Sequence, residues 1–339
     1  MSDAVFLKGE RPMTEQTDPK AHILRASRLR WPEVLVWLIA LSAFFVFPTY
    51  MPLLSQIAIV GLFAVSLDLI LGFAGIVSLG HAAFFGLGAY TAGLLGKHGW
   101  HEPITGLLMS GLLAAAVGAL TSLLVLRGSD LTRIMVTVGV AAVLHEMANK
   151  LSWLTGGSDG LTEVVIAPIF GIWEFDIFGT VAYGYSLAVL AILMFFARRL
   201  VQAPLGLTLR GLRDNPTRLL AIGSPVKRRL IVVYTISALY AGIAGALLAQ
   251  TTQFVSLDVL AFNRSAEVLL MVVLGGSGYL YGGLIGAIVL MVANKLLADL
   301  TPEYWQFWIG GLFVILMLFA RGGLLGLGKQ LIEKWEARK

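Results

Sequence analysis

The chain has 339 residues, of which 58% are hydrophobic and 13% charged, and its mean hydropathy is +0.83. A soluble domain covers its surface with roughly 25% charged residues, so this composition excludes one and describes an all-α polytopic membrane protein. With no cysteine, disulfides, thiolate metal sites and iron–sulfur clusters are excluded, and the net charge of +5 reports topology, not nucleic-acid binding.

A span needs ~20 apolar residues to cross the hydrocarbon, and the apolar runs predict about ten transmembrane helices. Residues 1–31 are polar and mixed in charge, without an early apolar core or cleavage site; they read as a flexible cytosolic tail, not a secretory signal. The transmembrane domain is expected over 32–321, followed by a second cytosolic tail over 322–339. Span one covers 31–47 and stops at Pro48. Span two covers 52–72. Span three, 73–96, is punctuated by Gly75, Gly80, Gly86, Gly88, Gly93 and Gly96. Span four covers 105–126, and span five runs from Arg133 to about Trp153. An outer segment, 154–178, carries Asp159, Glu163, Glu174 and Asp176 and no basic residue. Span six is 179–197, and a basic loop fills 198–229. Span seven is 230–248. Span eight, 266–274, is short and broken by Gly275, Gly276, Ser277 and Gly278, and spans nine and ten are 279–297 and 305–320. Residues 268–292 carry no charge and also suit one tilted helix. That alternative puts Arg321, Lys329, Lys334, Arg338 and Lys339 outside, so the ten-span reading is preferred.

Ten spans with both termini on one side place all but four of the 25 Lys and Arg there, the exceptions being Lys97, Lys150, Arg264 and Lys295. The positive-inside rule makes that side the cytoplasm. Spans two to five and seven to ten then run in opposite senses, the topology of an inverted repeat.

The basic loop carries eight basic residues and one acid, Asp214. Leu207, Gly211 and Leu212 alternate with Arg210 and Arg213 at helical spacing. Asn215 suits a helix cap, Pro216 a first helical position and Gly223 a C-terminal cap, which predicts a short helix over 217–222. A short amphipathic helix of this kind suits a knob entering a groove on a soluble partner. It equally suits a surface helix held by anionic membrane lipids.

Intramembrane polar residues are functional candidates because burying them in lipid is costly. Asp68, Ser78, His81 and Glu146 are the candidates for a path. For three of them a plainer role competes. Asp68 suits an ion pair with a neighbouring helix, and Glu146 stands four residues from Lys150, the spacing of a pair on one helix. His81 reads more readily as a packed core residue, and Arg264 with Glu267 pairs near the outer face. In the outer segment Gly156, Gly157, Ser158 and Asp159 form a turn-rich stretch, either a contact for a docking protein or an ordinary surface turn. Gly275, Gly276 and Gly278 mark a break that can also act as a hinge. No metal site is expected, since the histidines are scattered and His98 with His101 is one weak pair. The chain also lacks a phosphate-binding loop: Gly96-Lys97 is followed by His98, with Thr91 at the first glycine position, and Gly328-Lys329, which does have Gly323 at that position, is followed by Gln330 where Ser or Thr is required.

The stretch LGLTLRGLRDNPTRLLAIGSPVKRRL (205–230) resembles the cytosolic loop of LivM-type permeases, membrane subunits of branched-chain amino acid ABC importers. Four more stretches resemble the same family in one order and spacing. These are SLDLILGFAGIVSLGHAAFFGLGAYTAG (66–93), LTGGSDGL (154–161), EVLLMVVLGGSGYLYGGLIGA (267–287) and FARGGLLGL (319–327). The resemblance implies an ABC importer permease fold in a bacterial inner membrane, working by alternating access. It implies a second, LivH-like permease subunit, two cytosolic ATPases that bind ATP and Mg, and a periplasmic substrate-binding protein. It implies no catalysis and no cofactor in this chain. By position, Arg210, Arg213, Asp214, Asn215, Thr217, Arg218 and Gly223 fall in the loop that couples to the ATPase. The Glu-Ala-Ala core of many importer loops is absent; Arg218, Leu219, Leu220 and Ala221 stand there, and Pro216 follows Asn215. The competing expectations are the same machine carrying urea, amides or aromatic acids, an ion-coupled secondary transporter using Asp68 or Glu146, and a channel.

Overall fold

A computed structural model describes residues 31–319, except 177 and 222, together with 322–327. The N-terminal tail before Trp31, the residues 320–321 that close span ten, and 328–339 lie outside the described residues. The chain divides into two units, 1–41 and 42–339. Helix α1 (Trp31–Val46) begins in the first and ends in the second. The remainder concerns the larger unit.

Helix α2 (Met51–Leu71) opens on Pro52, whose missing N–H costs nothing in a first turn, and runs without a break through apolar residues to Gly72. A non-helical stretch then leads to α3 (Ala82–Lys97). Helices α4 (Pro103–Val125) and α5 (Asp130–Lys150) follow, the latter with Asp130 in its first turn and Lys150 in its last, as the helix dipole favours. After the short α6 (Ser152–Thr155) come α7 (Thr180–Gln202), α8 (Pro204–Asp214), α9 (Pro216–Ala221) and α10 (Val226–Thr252). Helices α11 (Phe262–Gly275), α12 (Gly282–Leu300) and α13 (Trp305–Phe319) complete the order, with a helical turn at 323–327. Among the described residues the only β pairing is isolated bridges, such as Leu161 with Val255.

Among the described residues, six helices are long and apolar enough to cross a membrane: Pro48–Leu71, in which a 3-10 turn at Pro48–Tyr50 precedes α2, together with α4, α5, α7, α10 and α12. At the other four expected spans the described helical residues are fewer, 16 in α1 and α3, 14 in α11 and 15 in α13, with α1 and α13 bordering residues outside the described set. Of the ten expected spans, of which span eight is expected to be short, six coincide with helices of full membrane-crossing length among the described residues. Glycine accounts for two of the short ones. Gly75 takes φ +73° before α3, and Gly276 takes φ +113° after α11, conformations that end a helix. The single tilted helix over 268–292 is also excluded: two helices meet there at a break over 276–281.

Helices α2 and α10 form the centre, 78% and 72% buried, whereas α5 is peripheral at 17%. Helix α10 packs on α2, α3 and α4, and α2 also packs on α7 and α12. Small residues allow this. A methyl group added at Gly245 would lie 1.8 Å from the Phe85 carbonyl oxygen, and one at Gly88 would lie 2.0 Å from the Gly242 carbonyl oxygen. The α3 and α10 backbones are thus in direct contact, the packing that holds helices together where lipid removes the hydrophobic drive. Gly286 on α12 makes the same approach to Met271 on α11.

Candidate functional site

The basic loop is two helices, not one. Pro204 starts α8, and Gly206 and Leu209 on it are buried while Leu207 and Arg210 are exposed. Asn215 then caps α9: its Oδ1 accepts the Arg218 N–H at 3.1 Å. At the far end the Ser224 N–H reaches the Leu219 carbonyl (3.2 Å) and the Gly223 N–H the Leu220 carbonyl (3.0 Å), with Gly223 at φ +76°. This is the paired closure of a glycine-capped helix. Leu219 turns inward against Gly211, leaving Asp214, Thr217, Arg218 and Leu220 exposed.

Arg210 and Arg213 are also exposed, but their side chains reach back to the end of α2. The Arg213 Nη1 donates a hydrogen bond to the Gly72 carbonyl at the end of α2. Its aliphatic part runs past Gly75, where a methyl group would lie 3.3 Å from the Arg213 Cγ. The Arg210 guanidinium sits 5.4 Å from the ring centroid of Phe73, which is buried, a cation–π contact. A cation at the carbonyl end of α2 is also favoured by the helix dipole.

Asp68, one turn before Gly72, is fully buried. Its Oδ1 accepts the backbone N–H of Gly278 at 2.8 Å, and it lies within electrostatic reach of Arg213. Gly278 takes φ +84°, and a methyl group at Gly72 would lie 2.3 Å from its nitrogen. Three parts of the chain therefore meet at one junction: the end of α2, the break between α11 and α12, and α8. The 323–327 turn also abuts the break, since a methyl group at Gly323 would lie 2.4 Å from the Gly276 nitrogen. Of the expected site residues, the junction brings together Asp68, Arg210, Arg213 and Gly278. It adds Gly72 and Phe73, which are not among the expected site residues.

The other expected path residues lie apart from it. His81 is fully buried, stacked on Phe63 (5.7 Å) and edge-on to Phe84 (5.6 Å). Its Nε2 is 2.9 Å from the Ser66 Oγ and 3.3 Å from the Ser237 Oγ. Those hydroxyls already donate to the Phe63 and Ser66 carbonyls, so Nε2 carries the proton and donates to them. His81 thereby ties α2, α3 and α10 together. Ser78 is buried as well. Glu146 is exposed on α5 and pairs with Lys150 at 3.6 Å.

At the opposite end of the bundle, Gly156 (φ +79°) and Gly157 (φ +58°) turn the chain, with Ser158 and Asp159 exposed. Leu161 exchanges two backbone hydrogen bonds with Val255 (2.8 and 3.1 Å), which pins this segment to the loop after α10. Asp176 sits before α7. Burial would raise its pKa, but hydrogen bonds from the Thr180 hydroxyl (2.7 Å) and the Val181 N–H (3.1 Å) outweigh this and hold it below the usual carboxylate value. His98 and His101 each bond a backbone carbonyl, of Leu94 and Val165. No cluster of potential metal ligands occurs among the described residues.

A bundle of apolar helices of this length fits a polytopic membrane protein. Residues 49–317 match the family described as branched-chain amino acid transport system / permease component, and the chain belongs to that family. It is 32% identical over 280 residues to the high-affinity branched-chain amino acid transport system permease protein LivM of Escherichia coli K12, covering 76% of this chain and 66% of that one. The LivM protein of Salmonella typhimurium LT2 is 31% identical over the same shares. The autoinducer 2 import system permease protein LsrC of an Enterobacter species is 27% identical over 248 residues, 70% of this chain and 69% of its own. The chain thus spans 66% of the length of the LivM proteins it matches. No solved structure matches it.

Proposed function

We propose that this chain is a permease subunit of an ATP-driven importer of branched-chain amino acids in a bacterial inner membrane, working by alternating access. It would pair with a second permease, with two cytosolic ATPases that hold ATP and Mg, and with a periplasmic substrate-binding protein. The observation that carries this reading is the junction. In it, α8 is fastened to the end of α2 by Arg213 and Arg210, and α2 is fastened to the helix break by Asp68 and Gly278. A push on the exposed face of α9, with Asp214, Thr217, Arg218 and Leu220, would pass through α8 to two points in the core. Gly275, Gly276 and Gly278 would act as the hinge that yields. The Gly156–Asp159 turn would contact the binding protein on the other face.

The named relatives support the amino-acid cargo over urea, amides or aromatic acids, and the 32% identity to LivM outweighs the 27% to LsrC. An ion-coupled transporter would need a carboxylate able to cycle. The commitment of Asp68 to the Gly278 N–H and the pairing of Glu146 with Lys150 weigh against that. The test is gentle purification of the tagged chain from native membranes with mass spectrometry of what accompanies it. A second permease and an ATPase are expected. A lone chain or homo-oligomer, in mild detergent with nucleotide present, would overturn the assembly.

A further inference from the structure

At the end of the bundle opposite the basic loop, a cavity of about 90 Å³ opens between α2, α3, α10, α11 and α12. By the room a single water needs, this volume accommodates a molecule of several non-hydrogen atoms, the scale of one small aliphatic amino acid. Its walls are apolar, with Val60, Val268, Met271 and Met291 among them. Two charges also line it, Arg264 and Glu267, on the first turns of α11. The Arg264 Nη1 donates to the Glu267 Oε2 at 3.0 Å, and the Arg264 Nε lies 3.4 Å from the exposed Asp258 carboxylate. Both residues are partly buried, their side chains 38% and 28% exposed.

A cation and an anion side by side at an apolar cavity match one ligand chemistry closely. A free amino acid carries a carboxylate and an ammonium on one carbon, next to its side chain. A guanidinium has five donors and a carboxylate several acceptor positions, so each member of the pair retains capacity beyond its partner. The Met side chains suit ligands of varied aliphatic shape, since Met repacks readily. A neutral ligand also leaves the net charge of the site unchanged, which avoids stranding an unpaired charge in the bundle.

We propose that this cavity is a binding site for the zwitterion of an aliphatic amino acid inside the permease. Arg264 holds the carboxylate, Glu267 the ammonium, and Val60, Val268, Met271 and Met291 the side chain. This rests on the amino-acid cargo argued above and locates a station for it in this chain. Because the chain has no cysteine, Val60→Cys introduces its only thiol, at the cavity wall.

The experiment uses the complete transporter in lipid nanodiscs, with modification of Val60→Cys by a small methanethiosulfonate read from the mass of this chain. Leucine at a concentration on the order of 10 mM, above the usual KM range, should slow modification about tenfold or more. Isocaproate, which lacks the ammonium, and isoamylamine, which lacks the carboxylate, should leave the rate unchanged. Arg264→Gln in the Val60→Cys chain should remove the protection. Met291→Cys serves as the reporter if Val60→Cys fails to assemble. An unprotected thiol in complexes that take up leucine would overturn the site and leave the cargo standing, as would full protection in Arg264→Gln. Wild-type complexes that take up no leucine would overturn the cargo and the site with it.

Discussion

Replacing Asp68 separates two accounts of a buried carboxylate in a transporter. Its Oδ1 accepts the Gly278 N–H at 2.8 Å, while its Oδ2 has no hydrogen-bond partner among the described residues. Asp68→Asn keeps an acceptor oxygen for Gly278 and loses only the contribution of charge, on the order of 1 kcal/mol when a charged bond becomes a neutral one. Asp68→Ala leaves the Gly278 N–H buried and unpaired, which costs about 1–3 kcal/mol, and empties a side-chain volume between α2 and the helix break. ATP-driven leucine uptake by the reconstituted transporter should therefore stay within about fivefold of wild type in Asp68→Asn, where 1.4 kcal/mol corresponds to ~10-fold. In Asp68→Ala uptake should fall further, and the assembled complex should denature more easily. An Asp68→Asn transporter that assembles at wild-type yield yet transports nothing would refute the reasoning, because it would show that the carboxylate's charge or proton, and not its hydrogen bond to Gly278, is what transport needs.

Other substitutions probe different contacts. Arg213→Ala should leave the subunits associated but reduce transport per ATP hydrolysed by roughly 5- to 150-fold, the range of ordinary coupling energies; unchanged stoichiometry would show that α8 does not transmit through Gly72. Asn215→Ala removes the cap of α9 and should cost about 1 kcal/mol locally, seen as faster amide exchange across 216–221 with α10 unaffected. Gly245→Ala forces the α3 and α10 backbones apart and should abolish assembly, whereas Gly139→Ala, where nothing lies within 4 Å, should be silent; equal yields of the two would contradict the packing. Asp176 has a folded pKa held below its unfolded value. The stability it lends α7 is thus fully present above the ordinary aspartate pKa of about 4 and is lost as pH falls through the lower folded value. The protection factor of amides at the start of α7, that is, exchange corrected for its intrinsic pH dependence, should be flat from about pH 5 to 8 and fall only in acid, a dependence absent in Asp176→Ala.

The long uninterrupted helices were legible because apolar length is a one-dimensional signal: α2, α4, α7 and α10 begin and end within a few residues of the expected spans. The loop helix was legible for the same reason, since Asn215, Pro216 and Gly223 act on their own immediate backbone. What sequence reasoning did not reach depends on pairs distant in the chain. Arg213 meets Gly72 across 141 residues and Asp68 meets Gly278 across 210, and neither pairing leaves a local pattern. Arg210 and Arg213 fall in the coupling loop by resemblance; both are exposed there, and only the register of α8 lets them also reach Phe73 and Gly72. The full length expected of span three failed because hydropathy counts the apolar residues after Gly72 equally, whether they are helical or not. His81 appeared solitary because its partners, Ser66 and Ser237, lie on two other helices.

The most direct test of the account is leucine uptake into liposomes holding the purified transporter, with the binding protein outside and nucleotide inside. The account predicts uptake only when ATP and Mg are on the side of the 198–229 loop and both the ATPases and the binding protein are present. Uptake by this chain alone, driven by an ion gradient without nucleotide, would contradict it.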